Sequence, residues 1–237
     1  MAQVITNPVA GLLAFAGGLL AAGIWLWFWL HEDPHPEPKR ILFLTFVAGA
    51  LAVPIALILE EIIYGAGIAL GFWPRALPSF FLLFLWAGVE EVLKYGAAYW
   101  AALRKPFFDE PIDAPVYLIT AALGFAALEN IFMLFNVFQH EFISGFVAIH
   151  LRFVGATLLH ILTSAIVGFS IAYSFFHPEH RLRNVLWGIS FATLLHTSFN
   201  FFILIGGGSS LLYIFSVVWL GGMILILSFE KLKRLIH

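Results

Sequence analysis

Long apolar blocks, separated by short polar or proline-rich connections, dominate this sequence. Each block holds roughly 20 apolar residues, the length that a helix needs to cross a hydrocarbon layer about 30 Å thick. Only 11% of the 237 residues are charged, whereas soluble domains have about a quarter. A spanning segment must also satisfy its own backbone hydrogen bonds in lipid. The chain is therefore predicted to be an all-α polytopic membrane protein.

About seven transmembrane helices are predicted, and they form a single transmembrane domain over residues 1–237. The predicted spans cover about 8–30, 41–63, 79–102, 115–138, 152–176, 184–205 and 211–229. The first block lacks a basic leading segment and is too long for the apolar part of a signal peptide, so it is predicted to be a retained span. A re-entrant segment around 139–151 would change this count.

Lysine and arginine fall in every second connection, which is typical of cytoplasmic loops. The basic connections hold Lys39, Arg40, Arg104, Lys105, Arg181, Arg183, Lys231, Lys233 and Arg234. The connections between them hold few basic residues. This alternation predicts that the N-terminus lies outside and the C-terminus is cytoplasmic.

Composition excludes some kinds of chemistry. The chain has no cysteine, so it forms no disulfide and offers no thiolate as a nucleophile or metal ligand. Its net charge is -2 and it has no basic patch, so no nucleic-acid partner is expected.

Polar side chains deep inside four predicted spans are the candidate functional residues. An ionisable group within the hydrocarbon layer costs a few kcal/mol, so it is usually paired and often marks a functional site. The deep polar residues are Glu90, Glu91 and Lys94 in the third span, Glu129 and Asn130 in the fourth, His160, Thr163 and Ser164 in the fifth, and His196, Ser198 and Asn200 in the sixth.

These residues share one depth. A rise of about 1.5 Å per residue places Glu90, Glu129, His160 and His196 at roughly 12–17 Å from the outer ends of their spans. Independent structural features have no reason to coincide in this way. The shared depth favours one site over separate helix–helix hydrogen bonds, although a buried Glu–Lys pair or a lone buried His is often only structural.

Helical spacing orients the candidates within each span. Residues three or four apart share a face, which groups Lys94 with Glu90 or Glu91 and His196 with Asn200. Because Glu90 and Glu91 are about 100° apart around the helix, they cannot point the same way. One is expected to face the cavity, and the other to pair with Lys94 or a neighbouring helix.

Carboxylates, imidazoles and an amide in a buried, hydrated pocket suit hydrolysis of a carbonyl compound. A Glu activates water, and a His or Asn donates hydrogen bonds to the developing oxyanion. Alternatively, Glu90, His160 and His196 bind zinc with a position left open for water. His160 and His196 lack the HExxH spacing of helical zinc proteases, so water activated by Glu without a required cofactor is preferred, and zinc remains possible.

Other polar and small residues are interpreted as structural. Glu60, Glu61 and Arg152 lie at the outer ends of predicted spans, where headgroups or water reach them, and Arg152 is expected to pair with one of these glutamates or to snorkel. A part in the entrance or the site is the less favoured alternative. Ala14, Gly18 and Ala22 form a stripe of small residues that is predicted to pack closely on a neighbouring helix.

Four motifs in the third to sixth spans resemble those of a known family. They are "EEVLK" (90–94), "GFAALEN" (124–130), "HILTSAIVG" (160–168) and "HTSFN" (196–200). In this order they resemble the motifs of the PrsW family of intramembrane proteases, which is similar in its core to the CAAX-processing endoproteases. The motifs place the expected catalytic core at 79–205.

The resemblance implies a multi-pass endopeptidase of a prokaryotic cell membrane that cleaves membrane-anchored proteins, possible substrates being anti-sigma factors. By the resemblance, Glu90 matches the general base and Glu91 the adjacent acid of uncertain role. His160 matches a catalytic or ligating histidine, and His196 with Asn200 the pair that polarises the scissile carbonyl. Lys94, Glu129, Asn130 and Thr163 are expected to support this cluster.

Two other functions are compatible with the same residues. A non-catalytic scaffold or immunity-type membrane protein would use the cluster for packing alone. A proton-coupled transporter would use Glu and His as a relay, but the sequence lacks matching spans broken by Gly or Pro.

Overall fold

A computed structural model of the chain describes residues 8–72 and 79–234, apart from the side chains of 207–210. All regular structure in these residues is helical, which confirms the predicted fold class. The α-helices are α1 (Pro8–Leu30), α2 (Lys39–Ala69), α3 (Phe80–Ala98), α4 (Asp113–His140), α5 (Phe142–Leu151), α6 (Thr157–Ala172) and α7 (Arg181–Lys233). A π-helical segment, Tyr99–Leu103, extends α3, and a second, Arg152–Ala156, joins α5 to α6.

Six helical segments in the described part of the chain are long and apolar enough to cross a membrane. They are Pro8–Leu30, Lys39–Ala69, Asp113–His140, Phe142–Ala172, Pro178–Gly206 and Leu211–Lys233. The predicted number of about seven is therefore one more than length and composition support. The segment outside this set is α3, because Glu90, Glu91 and Lys94 lie within one turn of it.

The predicted start of the fifth span, residue 152, is wrong. The helix begins at Phe142 and continues to Ala172, so most of the segment 139–151, for which a re-entrant structure was the alternative, belongs to this helix. Its start packs tightly against the end of α4, where the Phe138 ring lies 5.8 Å from that of Phe142. Arg152 is consequently inside the helix rather than at its outer end.

Helix α7 contains both of the last two predicted spans, 184–205 and 211–229. Its backbone is helical from Arg181 to Lys233, but the rings of Phe199 and Phe215 stack with centroids 6.3 Å apart. A straight helix would separate these residues by about 24 Å. The helix therefore reverses direction between them, and its two halves run back past each other.

Helix α4 is the centre of the bundle, and every residue from Asp113 to Ala127 is buried. Helix α2 packs so closely on it that a Cβ at Gly49 or Gly124 would overlap a backbone carbonyl of the facing helix. On the other side, Gly18 of α1 faces the carbonyl of Ala127. Ala14 and Ala22 are also fully buried, which confirms the small-residue stripe.

Candidate active site

A cavity of about 440 Å³ lies where α3, α4, α6 and α7 meet. The polar residues that line it are Glu90, Glu129, Arg152, His160, His196 and Asn200, and its apolar wall includes Trp86, Met133 and Phe199. The candidates that sequence depth grouped together therefore surround one space. Asn130 and Thr163 do not line it: Asn130 donates to the Thr157 hydroxyl at 3.0 Å, and the Thr163 hydroxyl donates to the His160 carbonyl at 3.2 Å.

Lys94 and Glu91 form a fully buried ion pair on one face of α3. Lys94 Nζ donates to Glu91 Oε1 at 2.6 Å. It also lies 3.0 Å from His160 Nδ1, so that nitrogen accepts a hydrogen bond from the ammonium. The same Glu91 oxygen is 2.8 Å from His196 Nδ1. This pair consequently orients one histidine on α6 and another on α7.

Glu129 and Arg152 form a second ion pair on the other side of the cavity. Arg152 Nη2 lies 2.9 Å from Glu129 Oε1, and its Nε donates to the Asn130 side-chain oxygen. Glu129 Oε2 is 2.8 Å from His160 Nε2. With Lys94 at Nδ1, both ring nitrogens of His160 therefore have protein partners.

Arg152 is the polar cavity residue that sequence reasoning missed. The sequence predicts it at the outer end of a span, paired with Glu60 or Glu61 or snorkelling, whereas its partner in the structure is Glu129. The available signal was its position eight residues before His160, which is about two helical turns away.

Glu90 differs from the other two carboxylates. Among the described residues it makes no ion pair with Lys or Arg, whereas Glu91 and Glu129 each do. Its Oε2 atom is buried and has no hydrogen-bond partner among the described residues. This oxygen lies 3.9 Å from His196 Nε2 and 4.0 Å from His160 Nδ1. Of the two neighbouring glutamates, Glu90 is thus the one that faces the cavity.

Glu90, His160 and His196 have donor atoms that all lie within 4.8 Å of one another. Two imidazoles and one carboxylate are a donor set that zinc accepts, and the free Glu90 oxygen is compatible with it. The Lys94 ammonium, 3.0 Å from His160 Nδ1, opposes a cation at that nitrogen. The residues fit a metal in type and spacing, but Lys94 would have to move or lose its proton.

The family model described as PrsW family intramembrane metalloprotease matches residues 37–226. The chain belongs to this family. All four motifs in α3, α4, α6 and α7 lie within the matched region. As a PrsW family member with six apolar helices, the chain is a protease and a multi-pass integral protein of a prokaryotic membrane.

Relatives named Protease PrsW match most of the chain. That of Bacillus subtilis strain 168 is 26% identical over 195 residues, covering 80% of this chain and 83% of the relative. That of Geobacillus kaustophilus is 29% identical over 175 residues, covering 74% and 72%. That of Oceanobacillus iheyensis is 25% identical over 226 residues, covering 94% and 96%. No solved structure gives a significant match.

Proposed function

We propose that the chain is a glutamate-dependent intramembrane endopeptidase in which Glu90 is the general base. The supporting observation is the buried, unpartnered Glu90 Oε2, which faces the cavity 3.9 Å from His196 Nε2. A water molecule hydrogen-bonded to both atoms at about 2.8 Å fits this separation. Glu90 is thus positioned to take a proton from water that His196 also holds.

The reaction follows from these positions. Glu90 removes a proton from the water as its oxygen attacks the carbonyl carbon of the scissile peptide bond. The carbonyl oxygen becomes an oxyanion. The Asn200 side-chain amide stabilises it with a hydrogen bond, and so does His196 in its imidazolium form, in which Nε2 also carries a proton. Glu90 then returns the proton to the leaving amine, and the C–N bond breaks.

The other polar residues hold this arrangement in place. Glu91 accepts a hydrogen bond from His196 Nδ1, which directs Nε2 toward Glu90. Glu129 and Lys94 hold His160 from both sides. Because Lys94 and Arg152 neutralise Glu91 and Glu129, Glu90 is left as the carboxylate available for proton transfer.

A zinc ion remains the alternative that the family description raises. Glu90, His160 and His196 would hold it, and it would supply a Lewis acid that polarises a bound water. His160 and His196 lie on different helices and lack the HExxH spacing, and this spacing and the position of Lys94 favour the metal-independent reaction. Metal analysis of active protein in detergent distinguishes the two, since turnover that is metal-free and chelator-resistant excludes zinc.

The decisive test of the base is Glu90→Gln, which preserves side-chain volume. It should reduce cleavage of a membrane-tethered reporter by about 10²–10⁴-fold, the usual contribution of a general base, with an unchanged melting temperature. Glu61→Gln is the matched control, because Glu61 is an exposed glutamate on α2. Cleavage by the Glu90→Gln protein at the wild-type rate would disprove the mechanism.

We further propose that α3 crosses the membrane as a seventh span, within a catalytic core at 79–205, with the N-terminus outside and the C-terminus cytoplasmic. The ion pair and surrounding helices compensate for its charges.

The chain has no cysteine, so a single cysteine introduced by substitution reports which side of the membrane its position faces. In intact cells, a membrane-impermeant maleimide should label His140→Cys, but label Lys105→Cys only after permeabilisation.

The proposed substrates are membrane-anchored proteins, and anti-sigma factors are the first class to test. The cavity lies among spanning helices, so a substrate must present its scissile bond at that depth. Comparing new protein termini in cells that express wild type or Glu90→Gln would identify the substrates. The absence of any new terminus that depends on Glu90 would contradict the proposal.

A further inference from the structure

A second group of buried carboxyls lies away from the active site. Asp33 and Glu37 belong to the connection between α1 and α2, and Asp113 begins α4. These three residues, the acidic cluster, are exposed by only 5%, 9% and 1%. One carboxylate oxygen from each lies within 4.8 Å of the other two.

Asp33 shows that this cluster is incomplete. Its Oδ1 accepts a hydrogen bond from the His35 backbone N–H at 3.0 Å. Its Oδ2 is buried and has no hydrogen-bond partner among the described residues. A buried carboxylate oxygen without a partner is costly, so this atom indicates a missing ligand.

The remaining contacts of the cluster are neutral. Asp113 Oδ2 accepts from the backbone N–H groups of Asp109 at 3.0 Å and Glu110 at 2.7 Å. The Tyr117 hydroxyl donates to Glu37. Within residues 8–72 and 79–234, no Lys or Arg forms an ion pair with any of the three carboxylates.

Burial adds to the cost of this arrangement. It raises the pKa of the Asp33 and Glu37 carboxyls above their ordinary values, because low-dielectric surroundings disfavour the charged form. The charge of Glu110 raises the pKa of Asp33 further and the charge of Asp33 raises that of Glu37, whereas hydrogen bonds to the cluster lower both. A bound cation would remove both penalties.

We propose that the acidic cluster binds a divalent cation that prefers oxygen ligands, such as Mg²⁺ or Ca²⁺. Such ions bind carboxylate oxygens at about 2.0–2.6 Å, so oxygens up to 4.8 Å apart can share one ion. The cluster contains no His or Cys, which makes it a poor zinc site. The ion would join the α1–α2 connection to the start of α4.

The test uses full-length protein in detergent, treated with a chelator and then titrated with Mn²⁺ as an oxygen-preferring probe. Electron paramagnetic resonance measures bound Mn²⁺, and thermal unfolding is followed with Mg²⁺, Ca²⁺ or neither. The proposal predicts saturable Mn²⁺ binding and a higher melting temperature with an added cation. The Glu90→Gln protein should behave identically, which separates this site from the active site.

Asp33→Asn is the informative variant, because it keeps the volume and the acceptor for His35. Mn²⁺ should bind at least about tenfold more weakly, a loss of about 1.4 kcal/mol, and the cation-dependent rise in melting temperature should disappear. After chelation the variant should be at least as stable as wild type, since one of three repelling charges is gone. Glu110→Gln, which changes a carboxylate outside the cluster in the connection before α4, is the control and should bind Mn²⁺ normally.

Three results would overturn the proposal. One is wild-type protein that shows no cation-dependent stabilisation. Another is an Asp33→Asn protein that is destabilised equally with and without cations, which would make Asp33 a purely structural residue. The third is Mn²⁺ binding that is lost in Glu90→Gln but kept in Asp33→Asn, which would place the ion in the membrane cavity.

Discussion

The buried Lys94–Glu91 pair allows a quantitative prediction. Both side chains are completely inaccessible and their charged atoms are 2.6 Å apart. At an effective dielectric constant of about 20, two unit charges at that distance attract by about 6 kcal/mol, before the cost of desolvation. Lys94→Met keeps most of the side-chain length and removes the charge. The Glu91 carboxylate is then left buried with only His196 as a partner.

Breaking one side of a buried pair costs about 3–5 kcal/mol, because the remaining charge stays uncompensated. We therefore expect Lys94→Met to lower the free energy of unfolding by this amount. Adding Glu91→Gln should recover about 2 kcal/mol or more, since the amide oxygen still accepts from His196 without the charge. The double variant should be the more stable of the two.

The measurement is reversible unfolding in mixed micelles, followed by tryptophan fluorescence. Lys105→Met, which removes an exposed lysine, is the control and should change stability by less than about 0.5 kcal/mol. A loss below about 1 kcal/mol for Lys94→Met would show that the pair is not stabilising. A double variant no more stable than Lys94→Met would show that the unpaired carboxylate is not the cause.

Other substitutions test the site and the packing around it. Arg152→Gln should lower kcat by about 10²-fold, because Glu129 loses its cation and no longer holds His160 in place, and Arg152→Lys should restore part of that loss. Asn200→Ala should lower kcat by about 10²–10³-fold with little change in melting temperature. Gly124→Ala should lower the free energy of unfolding by about 1–3 kcal/mol. Gly96→Ala is the control and should not lower it, because a Cβ at Gly96 has no neighbouring atom within 4 Å. Unfolding measurements on the two variants compare these values.

Much of the site was predictable because helices have a constant rise and turn. Counting residues from span ends placed Glu90, Glu129, His160 and His196 in one layer, and all four line the same cavity. Their chemical roles remain predictions. Which neighbouring glutamate faces the cavity was not predictable, because helix rotation depends on packing against other helices.

The start of the fifth span was not predictable from local sequence. His150 and Arg152 interrupt the apolar run and resemble the end of a span. The helix continues through them because Glu129, on another helix, neutralises Arg152. A hydropathy average over neighbouring residues contains no information about a partner so distant in sequence.

The acidic cluster was missed for a similar reason. Asp33 and Glu37 lie in a proline-rich connection, where polar residues are typical of turns. Asp113 follows 76 residues after Glu37, and only the packing of the α1–α2 connection on α4 unites them. Turn composition predicts a helix break without predicting what its side chains contact.

The burial of α4 changes which medium its side chains experience. From Asp113 to Ala127 every residue is covered by neighbouring helices, so hydrocarbon is not the solvent for this segment. The side chains of neighbouring helices surround it instead, so the limits that lipid imposes on polar side chains do not apply to this segment. Selection can therefore introduce polar groups along this helix as it would in a water-soluble core, provided that each one finds a partner within the bundle.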